Sequence, residues 1–260
     1  GLSPNARIAL AHADAFDGLV LVTSVTEAGL REAGKSERLA LLQDLRKRGA
    51  VIWPHPPENE YTILPRVVGP VCAAVAALRL AEGLGGPSAA PPAGMGDGGA
   101  LAAIGPSAEE RRALAAEFAA GVDCNFTNGA VEYAHNLAAK AVEGLFAPTP
   151  VCRDLLEYAH GPFQQQCVRG RPQWILRSAT APEAALAAAV APLFGAPGVG
   201  ARPIIAPYPA PWALVYWELY LNALLPEAAR IAGVDLATWP GKGADGPAYA
   251  IDTPYRGRSR

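Results

Sequence analysis

The sequence predicts an α/β protein made of two halves, each a parallel sheet flanked by helices in an αβα sandwich. Two observations carry this expectation. Short apolar runs of strand length alternate with longer stretches of helical periodicity, the pattern of βαβ units. A segment rich in Gly, Pro, Ala and Ser, GLGGPSAAPPAGMGDGGALAAIGPS, interrupts the alternation and cannot be regular throughout. The expected organisation is therefore a first half over residues 1–86, a linker over 87–106 and a second half over 107–260. Only 16 residues precede the first apolar run of that half.

The elements follow in order. Asp17–Ser24 (DGLVLVTS) is a short apolar run of the kind found in buried parallel strands. Ser36–Arg48 has helical period, with Leu39, Leu42 and Leu45 on one face and Arg46, Lys47 and Arg48 in the last turn. Ala50–Trp53 is the next strand, stopped by Pro54, Pro56 and Pro57. Val67–Leu84 is apolar nearly all round and reads as a buried helix. In the second half, Ser107 and Glu110 form a capping box for a helix reaching about Ala120. Val122–Phe126 is a strand, Ala130–Phe146 a helix, and Val151–Cys152 a strand remnant. Pro172–Arg177 is a strand, Pro182–Phe194 a helix and Pro203–Pro207 a strand. Trp212–Ala232 reads as one long apolar helix whose stripe Trp212, Tyr216, Trp217 and Tyr220 suits a core or a subunit interface.

Composition narrows the function. The chain is 51% hydrophobic, yet no apolar run reaches the ~18–20 residues that span a bilayer. The first residues lack the basic start and apolar core of a signal peptide. A net charge of −2 with scattered arginines argues against a nucleic-acid surface. Cys72, Cys124, Cys152 and Cys167 are widely spaced without a Cys-x-x-Cys pair. Four thiols in a reducing cytosol are the expectation, with no zinc site, no cofactor and a cytoplasmic location. His12 and His55 stand alone, and GAPGVG (195–200) lacks the flanking strand and helix of a nucleotide fingerprint.

The chemistry crowds into EYAHNLAAKAVEGLFAPTPVCRDLLEYAHGP, residues 132–162, which hold two of the four histidines and one of the four lysines. Glu132, His135, Lys140 and Glu143 fall at i, i+3, i+8 and i+11, a stripe on one helix face. A solvated, salt-bridged face is the bland alternative. A second Glu-x-x-His, Glu157 to His160, weighs against it. Gly161-Pro162 directly after His160 places that histidine at the end of an element, where it is accessible and suited to proton transfer. The two Glu-x-x-His repeats also match half the ligand pattern of a di-iron carboxylate bundle, but the proline-rich breaks and apolar strands do not provide its four long helices.

This stretch resembles the sugar isomerase (SIS) domain family, in the form seen in the isomerase part of glucosamine-6-phosphate synthase. There a helix Ala-Leu-Lys-Leu-Lys-Glu precedes Gly-Glu-x-x-His-Gly-Pro. Here AHNLAAKAVE (134–143) and LEYAHGP (156–162) stand in those places, with the Lys-x-x-Glu spacing kept by Lys140 and Glu143. The interval from Glu143 to His160 is one residue longer. The resemblance implies two SIS halves, a proton moved between C1 and C2 of a sugar or sugar phosphate by Glu143, and ring opening by His160. Lys140, Glu157 and His135 join them as catalytic candidates. ARIAGVDLATWPGKG (229–243) is similar to the family's closing tail, making Lys242 a further catalytic candidate. The family's phosphate loop, Ser-x-Ser-Gly-x-Thr, corresponds to Thr23-Ser24-Val25-Thr26-Glu27-Ala28-Gly29, which supplies Thr23, Ser24 and Thr26 but misplaces the glycine and adds Glu27. Asn128 and Gly129 complete the substrate-binding candidates. Glu27 is expected to point away from any bound anion. The alternative is a non-catalytic SIS module that binds a sugar phosphate as a sensor or scaffold. A homodimer is expected, since SIS sites are commonly completed by a neighbouring subunit's histidine and the Trp212–Ala232 helix carries more apolar surface than one sheet face needs.

Overall fold

The computed structural model describes residues 18–54, 68–84, 104–127, 151–159, 171–195 and 201–238. It is α/β, with parallel sheets flanked by helices. The chain divides into two compact units, residues 1–59 with 238–260, and residues 60–237. Among the described residues no helix is long and apolar enough to cross a membrane.

In the smaller unit, β1 (Val20–Thr23) pairs in parallel with β2 (Val51–Pro54), Val20 opposite Val51. Two helices connect them: α1 (Glu27–Glu32) and α2 (Ser36–Lys47). The Thr26 side chain caps α1 by accepting from Gly29 N. Leu30, Leu42 and Leu45 are the buried residues of this helical pair. Gly49, at φ 87°, turns the chain from α2 into β2, a conformation in which a Cβ would be strained.

The larger unit opens with α3 (Val68–Gly83), which the sequence reading had closing the first half. Next come α4 (Ala108–Ala120), β3 (Asp123–Phe126) and β4 (Val151–Asp154). The Ser107 Oγ accepts from Glu110 N, as the capping-box pattern predicts. A single 3-10 turn, Leu155–Ala159, follows β4 directly. The remaining elements among the described residues are β5 (Gln173–Ser178), α5 (Ala181–Gly195), β6 (Ala201–Ala206), α6 (Trp212–Asn222) and α7 (Leu225–Ala232).

The four strands lie in the order β4-β3-β5-β6, all parallel. One face carries Cys124, Phe126, Trp174, Leu176, Ile204 and Ala206, packed with Leu114 and Phe118 of α4, Trp217 of α6 and Ala228 of α7. The other face carries Ile175, which packs with Leu155 and Tyr158 of the turn and Val190 and Phe194 of α5. Covering a parallel sheet on both faces is what its continuous apolar strands require. Trp212 and Trp217 of the aromatic stripe are buried in the core.

Two elements differ from the sequence reading. The single helix over Trp212–Ala232 is two, because Pro226 has no N–H to donate and sits in the first turn of α7. The strand remnant at Val151–Cys152 is a full strand to Asp154, since pairing with β3 supplies backbone partners that local sequence cannot reveal. The expected helix over 130–146 and most of the 87–106 segment lie outside the described residues.

Leu114 has no exposed surface and wedges α4 against the sheet. Leu114→Ala should lower unfolding stability by about 2–5 kcal/mol, through lost burial and a cavity, read as a shifted urea midpoint with an unchanged slope.

Candidate functional site

The strand order reverses between β3 and β5: the chain leaves β3 for β4 on one side and returns to β5 on the other. In open parallel sheets the crevice at such a switch, beyond the carboxyl ends of the strands, is where ligands bind. The residues found there are Thr127, after β3, and Ser178, Ala179 and Thr180, between β5 and α5.

They form one hydrogen-bonded cluster around Glu183, in the first turn of α5. The Thr127 hydroxyl donates to Glu183 Oε2 at 2.5 Å, and Ser178 N donates to the same oxygen at 2.7 Å. The Ser178 and Thr180 hydroxyls bond each other at 2.8 Å. Backbone seals the same edge, with Thr127 N donating to Leu176 O. Burial alone would raise the Glu183 carboxyl, but the hydrogen bonds from Thr127, Ser178 and Thr180 outweigh it and hold the group below its usual value. A helix N-terminus also favours the negative charge.

A second polar group runs along the buried face of β3. Tyr158 Oη, on the turn after β4, donates to Asn125 Oδ1 at 2.8 Å. Asn125 Nδ2 donates to Gln173 Oε1 and to Trp174 O. Gln173 Nε2 continues to Asp123 Oδ2 at 3.0 Å. Asp123 Oδ1 faces Arg171 at 3.3 Å, close enough for an ion pair though not aligned as a hydrogen bond. This line of side chains fixes the 3-10 turn against the sheet, and Asp154 Oδ1 accepts from Leu156 N to start that turn. Glu157 rides on it, half-buried.

In the smaller unit, Thr23, Ser24 and Thr26 gather at the carboxyl end of β1. Thr23 Oγ1 accepts from Val25 N and Thr26 Oγ1 from Gly29 N, each at 3.1 Å, so both hydroxyl oxygens serve the local backbone. Glu27 is held by Arg46 at 2.7 Å and Arg31 at 3.1 Å. Its charge is thus balanced within the unit, beside a cleft of about 270 Å³ lined by Val25, Thr26, Leu42, Arg46 and Ile52 as well.

Of the residues the sequence singled out, the structure places Thr23, Ser24, Thr26 and Glu157. His135, Lys140, Glu143, His160, Lys242, Asn128 and Gly129 lie outside the described residues, as does Glu132. Among the described residues, no group of three or more His, Cys, Asp or Glu side chains is placed to hold a metal ion. Sequence reasoning missed Thr127, Ser178, Thr180 and Glu183. Their signal was present in SATAPE (178–183), where hydroxyls precede a glutamate in the first turn of a helix, although the partner Thr127 is distant in sequence. No family model matches the chain, and neither a curated protein nor a solved structure matches it at a significant level.

Because the Glu183 carboxyl titrates below its usual 4.5 when folded, its ionised form contributes stability above that value and loses it as pH falls through the lower folded value. Glu183→Gln should therefore be less stable than the wild type at pH 7, with the gap closing as pH drops below about 4.5, measured by urea unfolding across pH.

Proposed function

We propose that the chain is built of two SIS-like halves and isomerises a sugar or sugar phosphate between aldose and ketose forms. Glu143 is the base that carries a proton between C1 and C2, and His160 opens the ring, with Lys140, Glu157, His135 and Lys242 as further members of the site. The supporting observation is topological. β3 and β4 are parallel neighbours, the segment carrying Lys140 and Glu143 starts at the carboxyl end of β3, and the turn carrying Glu157 starts at the carboxyl end of β4. Both parts of the motif thus follow the strand ends that a doubly wound sheet turns toward its ligand. His160 is one residue beyond that turn in the sequence.

Aldose–ketose isomerisation needs what this set offers. A carboxylate beside the C1–C2 edge removes and returns the proton, and an imidazole that titrates near neutrality serves the ring oxygen. Lys140 would offset the charge developing on the enediol oxygens.

A second reading is favoured by one observation in the smaller unit. Thr23 and Thr26 already accept hydrogen bonds from their own backbone, and α1 has only six residues. A phosphate there would rely on the remaining hydroxyl protons and on Arg46. A non-catalytic module that binds a sugar as a sensor fits that weaker anion site. Incubating the protein with a panel of sugars and sugar phosphates separates the readings: aldose–ketose conversion supports the enzyme, and a thermal shift without conversion supports the sensor.

If the enzyme reading holds, Glu143→Gln keeps the fold and lowers turnover by on the order of 10²–10⁴-fold. Unchanged turnover in a folded variant removes Glu143 from the mechanism. A homodimer is part of the same reading, and light scattering at micromolar concentration should give twice the monomer mass.

A further inference from the structure

Cys124 of β3 and Cys152 of β4 are direct partners in the parallel ladder. Neighbouring strands lie about 4.7–4.9 Å apart, inside the Cα separation of about 4.4–6.8 Å that a disulfide spans. Both side chains project from the same face of the sheet, where Cys124 belongs to the core cluster and Cys152 packs against its edge. The Cys152 side chain is the largest influence on the Cys124 thiol and raises its pKa. Their exposure differs. Cys124 is fully buried, while Cys152 is half-buried on β4, which has β3 as its one neighbour among the described strands.

We propose that Cys124 and Cys152 form a reversible disulfide, an oxidation site for a small hydroperoxide such as hydrogen peroxide. The reaction begins at the more accessible sulfur. The Cys152 thiolate attacks one peroxide oxygen, the O–O bond breaks, and hydroxide leaves and takes up a proton to become water. Cys152 is then a sulfenic acid. The Cys124 sulfur attacks it, the S–S bond forms, the S–O bond breaks, and the departing hydroxide leaves as water with the proton from Cys124. The two thiols together lose two protons and two electrons, and the peroxide is reduced to two waters.

The order of attack follows from the surroundings. The Cys152 side chain and, after it, burial push the Cys124 thiol well up, so Cys124 keeps its proton and serves as the resolving partner. The strands already hold the two residues in register. The link would tie together the two ends of the segment that carries His135, Lys140 and Glu143, whatever that segment does.

The test uses the full chain, reduced, treated with hydrogen peroxide, alkylated, digested and mapped by mass spectrometry. The expected product is one peptide pair joined through Cys124 and Cys152, about 2 Da lighter than the two free peptides. Titratable thiols in denaturant should fall by two from the four in the sequence and return with dithiothreitol. Cys124→Ser should leave Cys152 as a sulfenic acid that a dimedone probe traps. Cys152→Ser, which disturbs a half-buried position only, should abolish the linked peptide and leave Cys124 a thiol. A linkage through Cys72 or Cys167, conversion of Cys152 to sulfinic acid with Cys124 still reduced, or no oxidation at all would each overturn the proposal.

Discussion

Asn125 holds the centre of the larger unit. Its amide is completely buried and has partners on both sides: Tyr158 on the turn after β4, and Gln173 and the Trp174 carbonyl on β5. A buried amide left without partners costs about 1–3 kcal/mol, a large share of the stability of an ordinary domain. These bonds are met in one register only. Sliding β3 by one residue against β5 would turn Asn125 to the apolar face and Cys124 or Phe126 to the polar one. The same side chain therefore sets the pairing of three strands and pins the turn that bears Glu157.

From that register the rest of the edge follows. Thr127 comes two residues after Asn125, and once β3 and β5 are aligned its hydroxyl meets Glu183 of α5. Glu183 gathers a hydroxyl and a backbone N–H at the point where the strand order reverses. Such a cluster makes the switch point polar and ordered, and it ties the last residue before the Asn128–Gly129 segment to a rigid helix. The opposite face needs no polar specification: Phe118 stacks on Trp174 and Phe126 meets Trp217 edge-on. Trp174 also donates its indole N–H to Glu117, which Arg202 holds on β6.

Charge is settled locally in the smaller unit too. An isolated carboxylate at Glu27 would oppose any anion near the end of β1. Two arginines on α1 and α2 take up that charge, and exposed pairs of this kind contribute only about 0–1 kcal/mol to stability. Their consequence is electrostatic more than structural, since the paired Glu27 and Arg46 form, with Thr26, the polar lining of a small cleft.

The sequence by itself determined what depends on neighbours along the chain. Ser107-x-x-Glu110 started α4, Leu42 and Leu45 marked the buried side of α2, Gly49 stopped it, and apolar runs gave β1, β5 and β6 to within a few residues. Alternation of strands with helices implied parallel sheets covered by helices. The chemistry-bearing stretch was legible as well: Glu157 and His160 lie three and six residues beyond Asp154, the end of a strand that local pattern nearly revealed. Tertiary structure decided what distant residues share. Val151–Asp154 became a strand because β3 was there to pair with it. The proline at 226 divided one apolar helix into two, a local break that the continuous hydrophobic pattern concealed. Thr127 met Glu183, Asn125 met Tyr158, and Cys124 met Cys152 across separations no spacing rule encodes. Hydrogen bonds and register between strands act on atoms brought together by folding, so they cannot be read from one segment at a time.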